Sequence, residues 1–297
     1  MNLIGVILII LVGTVYSWSD PSHVIIYMIA RKEIGEAQTA LVDRIIKEMP
    51  QDEVNYPNPY EVAMWADDIK GSSVDFMSGY HYYDQLFCDG IDIKKVTALV
   101  DEIYNIVNGV IISHTTIKYR PPYPYHFNAR FEKSFALRLL IHVVGDLHQP
   151  LHTATRCTPA KPECDDNGKK FAINGDGLYT NNLHDLWDKA MGKIQAEQRP
   201  LNESAIARYQ AIADQIIKEF PRSSLQADLE IKDQWKIAKN HLDIAINYAY
   251  KEIKENEKPS EGYKNSRFEI CKRQIALAGY RLADMLKDIV FPIEESL

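Results

Sequence analysis

The chain has 297 residues, of which 46% are hydrophobic, 25% charged and 10% aromatic, a composition that excludes disordered, collagen-like and polytopic membrane proteins. Against 34 Lys and Arg stand 41 Asp and Glu, a formal charge of −7. No global positive field is available to track duplex phosphates, so any nucleic-acid chemistry needs local cations, which bound metal can supply.

In chain order, Leu3 to Tyr16 is almost wholly apolar, yet shorter than the roughly 20 residues a helix needs to span a bilayer. It reads as a signal peptide over 1–17, with Val15 and Ser17 matching the small-residue rule for cleavage before Trp18. That leaves one domain over 18–297 and a secreted, or secretory and lysosomal lumenal, protein.

Apolar residues then recur at helical spacing: Leu41, Ile45 and Met49; Val96, Leu99, Val100, Ile103, Ile106, Val107 and Val110; Phe131, Phe135, Leu139 and Leu140; Ile275, Leu282, Leu286 and Ile289. Pro50, Pro57, Pro59, Pro121, Pro122, Pro124 and Pro150 punctuate them, and Asn174-Gly175-Asp176-Gly177 predicts a small hairpin near 171–180. The stretch from Ile231 to Lys258 reads as one long polar-faced helix whose charge run, Lys251 to Lys258, is a solvated face. The fold class is therefore mainly α, a single large helical domain. No repeat or linker divides it, and no C-terminal apolar tail points to a lipid anchor.

Four cysteines, Cys88, Cys157, Cys164 and Cys271, allow three pairings and lack zinc-knuckle spacing. Disulfides fit a secreted chain. Cys157 and Cys164 flank a six-residue loop, so the expected bonds are Cys157–Cys164 and Cys88–Cys271. Asn202-Glu203-Ser204 is a glycosylation sequon.

Two of nine histidines precede an aspartate by four residues, His142 with Asp146 and His184 with Asp188. On a helix that spacing puts both side chains on one face, within reach of one ion. Chance alone supplies about two-thirds of one such pair in this composition. The surroundings raise the signal, because His142 and Asp146 sit in the apolar run Leu139-Leu-Ile-His-Val-Val-Gly-Asp146. A carboxylate buried there is costly unless paired or metal-bound. His152 follows Pro150, which must end or kink the helix and turns His152 toward a different ion. Trp65-Ala-Asp67 and Tyr80-His81-Tyr-Tyr-Asp84 complete a set of hard and borderline ligands of the kind zinc uses. Asp68 adjoins Asp67, but helical neighbours point ~100° apart, so only one faces the metal.

Trp18 with His23, Trp65-Ala-Asp67, His81 with Asp84, His142-Val-Val-Gly-Asp146, Gln149-Pro-Leu-His152, Asn182-Leu-His184 and Trp187-Asp188 resemble, in that order, the motifs of the zinc-dependent class I nucleases. These are fungal, plant and protist single-strand nucleases and 3'-nucleotidases within the phospholipase C/nuclease superfamily. The likeness runs from Trp18 through Ala278-Gly-Tyr-Arg-Leu-Ala283 and implies the helical phospholipase C/nuclease fold. It implies three zinc ions per chain: one on Asp67, His81, His142 and Asp146; one on His23, the bridging Asp146 and the α-amine and carbonyl of Trp18; one on His152, His184 and Asp188. Leader removal would thus create a ligand, since a free amine coordinates where a backbone amide does not.

The activity implied is hydrolysis of single-stranded RNA and DNA to 5'-nucleotides, with 3'-nucleotides also cleaved. A hydroxide bridging two zincs attacks phosphorus in line, and the third zinc stabilises the departing 3'-oxygen. By the same resemblance Asp84 orients the attacking water, and Lys70 stands where relatives carry Arg, neutralising a phosphate oxygen without the bidentate fork. Asp146 completes the expected catalytic set. Tyr82 and Tyr179 would stack bases, which gives single-strand preference without sequence preference. Relatives often show Gly-Gly-Asn in a base-contacting loop where this chain has Asp165-Asp166-Asn167-Gly168, so Asn167 is the candidate there. The expected protein is a monomer with no stable membrane association. The competing readings are a zinc phospholipase C, which typically closes its last motif with Glu where this chain has Asp188, and a non-catalytic secreted zinc-binding protein.

Overall fold

Apolar faces at helical spacing must be covered, and here they cover one another. The computed structural model describes residues 18–49, 58–70, 75–98, 105–118, 129–175 and 180–294. The expected leader over 1–17 lies outside the described residues, as do Leu99, Val100, Ile103 and Tyr179.

Helix α1 (Asp20–Ile46) carries Pro21 in its first turn, where no amide is needed for the ladder. Its residues Pro21 to Ala30 are buried on every side, the mark of a central helix. Gly35, at φ 81°, breaks it into two segments. A 3₁₀ turn at Glu61–Met64 leads into the single turn α2 (Trp65–Asp68). Beyond it come α3 (Ile106–Lys118) and α4 (Ala129–Leu147). α5 (Leu183–Asp188) is capped by Asn182, whose Oδ1 accepts from the Asp185 amide at 2.8 Å. α6 (Glu203–Glu219) is capped by Asn202, the sequon residue, in the same way. The order closes with α7 (Gln226–Leu229), α8 (Gln234–Ile244) and the long α9 (Glu261–Glu294).

α1 packs against α9, α4 and α6. Two glycines set its distance from its partners. A Cβ on Gly279 of α9 would lie 2.5 Å from Cγ2 of Ile29, and one on Gly145 of α4 would lie 2.8 Å from Nδ1 of His23. Neither contact is possible, so glycine at both positions lets the helices approach.

The mainly α expectation holds, with differences in detail. Ile231–Lys258 is not one helix. α8 runs into a π-turn at Ala245–Ala249 and stops, and Glu252 and Asn256 then adopt positive φ. Arg267 of α9 donates to the carbonyls of Tyr248 and Lys251, ending the ladder from outside. Val96 is extended rather than helical. Near 171–180 the chain does double back, through an antiparallel bridge between Ala172 and Asn182 and a 3.0 Å bond from the Ile173 amide to the Asn181 carbonyl. Residues 176–179 lie outside the described part. The paired strands are elsewhere: β1 (Leu86–Cys88) and β2 (Thr155–Cys157) run parallel, with Leu86 opposite Thr155 and Cys88 opposite Cys157.

Cys157 and Cys164 form the expected disulfide. Cys88 and Cys271 do not pair; both are free thiols. The β-pairing holds Cys88 against Cys157, while Cys271 is sealed within the core on α9. Among the described residues, no helix is long and apolar enough to cross a membrane.

Candidate metal centre

The site forms where α1, α2, α4 and α5 meet. On α4 the four-residue spacing brings Nε2 of His142 to 3.3 Å from Oδ2 of Asp146. α1 lays the His23 ring on that of His142, centroids 3.8 Å apart, and directs Nε2 of His23 to Oδ1 of Asp146 at 3.1 Å. Asp67 of α2 lies 3.4 Å from Nε2 of His142, and Nδ1 of His81 reaches Asp146 Oδ2 at 2.8 Å. As expected for Pro150, α4 ends at Leu147 and a 3₁₀ turn over Pro150–Thr153 redirects His152. Its Nε2 lies 3.4 Å from Asp188 Oδ1, and His184, one turn before Asp188 on α5, lies 3.2 Å from Asp188 Oδ2.

Three of these rings are aimed from behind. Nδ1 of His142 donates to the Ala63 carbonyl, Nδ1 of His152 to the His81 carbonyl and Nδ1 of His184 to the Asn167 carbonyl, each at 2.7 Å. A carbonyl only accepts, so in each ring Nδ1 carries a proton and Nε2 is the atom turned to the pocket. Gln149 spans the seam, donating to Asp188 Oδ1 at 2.7 Å and accepting from the Leu151 amide at 2.6 Å. Trp18 is fully buried at the entry to α1, where the next amide, of Ser19, bonds to the Asp188 carbonyl at 2.9 Å.

Three groups have ligand atoms within 4.8 Å of one another and can each hold a metal ion: His23, Asp67 and His142; His81, His142 and Asp146; His152, His184 and Asp188. The third coincides with the set drawn from the sequence. In the other two, His142 is shared and His23 falls beside Asp67. The fit to cations is also visible in what the protein leaves unsatisfied. Oδ1 of Asp146, Oδ2 of Asp188 and Nε2 of both His152 and His184 are buried without a hydrogen bond, an arrangement that is expensive unless something else binds those atoms. Burial pulls His23 and His152 down to about 4, and His81 and His184 to about 3, leaving neutral rings fit to ligate. Burial lifts Asp188 to about 7. At His142 the penalty of burial is overcome by Asp146 and Asp67, which hold it at about 10. A proton there does for the carboxylates what a metal cation does more strongly.

The adjacent acids of α2 separate as helical geometry requires. Asp67 turns inward, while Asp68 is held by both arms of Arg199 at 2.8 and 2.7 Å. Lys70 sits 2.5 Å from Asp67 Oδ1. Asp84 accepts from the Thr155 hydroxyl at 2.9 Å, and burial pushes its carboxyl upward. The Tyr82 ring lies 4.8 Å from that of His152 and 5.9 Å from that of His184, at the pocket edge. Asn167 is buried; its Nδ2 donates to the Ala154 carbonyl and its own carbonyl holds His184. That is the place of a support beneath the pocket rather than of a solvent-facing base contact. Gln149 and Thr155 had no assigned role from sequence. The first is marked only by its place in the motif Gln149-Pro-Leu-His152, and nothing marks the second.

The match between this centre and known proteins spans the chain. A family model described as S1/P1 Nuclease matches residues 18–291. Among curated proteins, Nuclease S1 of Aspergillus oryzae is 27% identical over 91% of this chain and 91% of its own length. Endonuclease 1 and Endonuclease 2 of Arabidopsis thaliana are 23% and 24% identical, over 96% and 97% of this chain and 91% and 96% of theirs.

Proposed function

The chain belongs to the S1/P1 nuclease family and is a nuclease acting on nucleic acid, and from that premise we propose that it is a secreted, zinc-dependent endonuclease of single-stranded RNA and DNA that releases 5'-nucleotides and also cleaves 3'-nucleotides. The observation that carries this reading is the buried constellation of His23, Asp67, His81, His142, Asp146, His152, His184 and Asp188, whose atoms gather into three groups of ion-binding dimensions. Imidazole and carboxylate together are the donor set of zinc rather than of calcium or magnesium. Two of the groups share Nε2 of His142, so three ions rest on the family resemblance, with the amine of Trp18 as a further ligand once the preceding segment is removed.

Bound zinc supplies Lewis acidity toward a phosphoryl oxygen and lowers the pKa of water to about 7. The chain's own residues do the rest. Asp84, fixed by Thr155, orients the attacking water and draws its proton. Lys70 passes from Asp67 to a non-bridging oxygen of the phosphate when the carboxylate is engaged by metal. Tyr82 walls the pocket beside His152 and His184. The carbonyls of Ala63, His81 and Asn167 keep three rings from turning. No recognition of base edges is required by any of these contacts, which suits cleavage without sequence preference.

The test is to assay the purified secreted form on single-stranded DNA, duplex DNA, a 3'-nucleotide and phosphatidylcholine vesicles, with metal content measured on the same sample. Preferential cutting of the single strand with about three zincs per chain supports the proposal. Release from lipid alone, or inertness on every substrate with metal bound, overturns it in favour of a phospholipase or a non-catalytic binder.

A further inference from the structure

Lys169 follows the positive-φ run Asp166-Asn167-Gly168, and the local fold turns its side chain inward. Its ammonium lies 3.7 Å from the centroid of the Tyr82 ring, close enough for a strong cation–π contact. Lys70 approaches the same ring at 5.5 Å. Two cations thus share one aromatic platform whose neighbours are His152 and His184. Lys169 is only 20% exposed, and its nearest ion partner is Asp166 at 3.7 Å, a half-exposed carboxylate one turn back. Burial lowers its pKa, offset in part by Asp166, Asp188 and Asp84. A desolvated ammonium so weakly countered, at the mouth of a pocket that hydrolyses a polyanion, has an obvious complement in phosphate.

We propose that Lys169 is a substrate-contacting, specificity-determining residue that, together with Lys70 on the Tyr82 ring, takes a backbone phosphate neighbouring the one being cut. The contribution of Lys169 is to strand charge. The inference rests on the nuclease activity and on the pocket described above, not on the identity or number of the metals. Chains with several phosphates gain from Lys169, whereas a dinucleoside monophosphate, whose single phosphate is the scissile one, has nothing for it to hold.

The experiment compares Lys169→Met, which keeps the stem over Tyr82, with Lys169→Arg, which keeps the charge, in the metal-loaded protein with metal content checked. On a longer single-stranded oligonucleotide, kcat/KM of Lys169→Met falls roughly tenfold more than on a dinucleoside monophosphate, a loss of the size of one charged contact. The slope of log kcat/KM against log salt becomes shallower by about 0.7, the share of one phosphate on a single strand. Lys169→Arg restores both. Binding of a labelled oligonucleotide to chelated protein shows the same change in salt slope. Equal losses on the two substrates with an unchanged slope would make Lys169 a prop for Tyr82 and overturn the proposal, as would no loss on either. If wild-type protein proves indifferent to strandedness, the single-strand reading fails while the chain-length comparison still decides the role of Lys169.

Discussion

One stretch of chain, from His142 to His152, feeds two buried histidine clusters of opposite character. His142, Asp146 and His152 face the pocket, where imidazole nitrogens and carboxylate oxygens confront one another and several find no hydrogen bond. His148, two residues after Asp146, faces the other way. Its Nδ1 donates to the Val144 carbonyl and its Nε2 accepts from Arg281, both at 2.7 Å, and Arg281 continues to the Asp228 carbonyl. His241 lies beside it, ring centroids 5.1 Å apart, with Nε2 on Gln274 Oε1 at 2.9 Å. His148, with both nitrogens bonded, is a structural brace, and His241, held through Nε2 on Gln274 with Nδ1 unbonded, packs beside it; a ring whose outward lone pair meets only other acceptors is waiting for a cation. Burial alone does not separate the two cases, but the partner of the second nitrogen does.

The strongest way to break this comparison is at its shared segment. Asp146→Asn should lower activity by more than about 10³-fold, beyond what loss of an outer-shell partner causes, and deplete bound metal while circular dichroism is preserved. Retention of metal would place Asp146 with the braces. Gln149→Ala removes the support of Asp188 and the acceptor of the Leu151 amide and should cost roughly 10–100-fold in metal affinity, read by competition with a chromogenic chelator. In the other cluster, Arg281→Met leaves His148 unsatisfied and should destabilise the fold by about 1–3 kcal/mol in urea titration, with metal content unaltered.

The smallest effect is in pH. His241 is depressed from 6.5 to about 3, chiefly by burial, so the unfolded chain takes up a proton that the folded one refuses. Stability from this group is complete above pH 6.5 and is lost as pH falls toward 3. His241→Gln should therefore remove about 1 kcal/mol of the decline over the first pH unit below 6.5. An unchanged slope would show that His241 is protonated in the fold.

What could be read from the sequence follows the same division between local and distant geometry. The pairs His142/Asp146 and His184/Asp188 were legible because helix period alone puts each on one face, and the turn at His152 because Pro150 permits little else. The angular argument allowed only one of Asp67 and Asp68 to face the pocket, and the family motif, not the angle, selected Asp67. The parallel pairing of Leu86–Cys88 with Thr155–Cys157 was not, since strands of three residues far apart in the chain leave no periodic trace. The same pairing set Cys88 against Cys157, so an argument from loop length found the Cys157–Cys164 bond and missed the two free thiols. Asn167 was read by its side chain, yet it is its carbonyl that holds His184, and no residue type announces a carbonyl. Lys169 reaches Tyr82 only because the turn before it has left-handed backbone at three successive residues.

The bare α-carbons of Gly145 and Gly279 have a reach beyond packing. They let α1 sink between α4 and α9 until the His23 and His142 rings touch face to face, which makes interhelical spacing and ligand spacing the same dimension. A single added methyl at Gly145 would act as a spacer under a ligand rather than as filler in a void, shifting His23 before it strained the core. Scaffold and reactive centre therefore cannot drift independently along this seam.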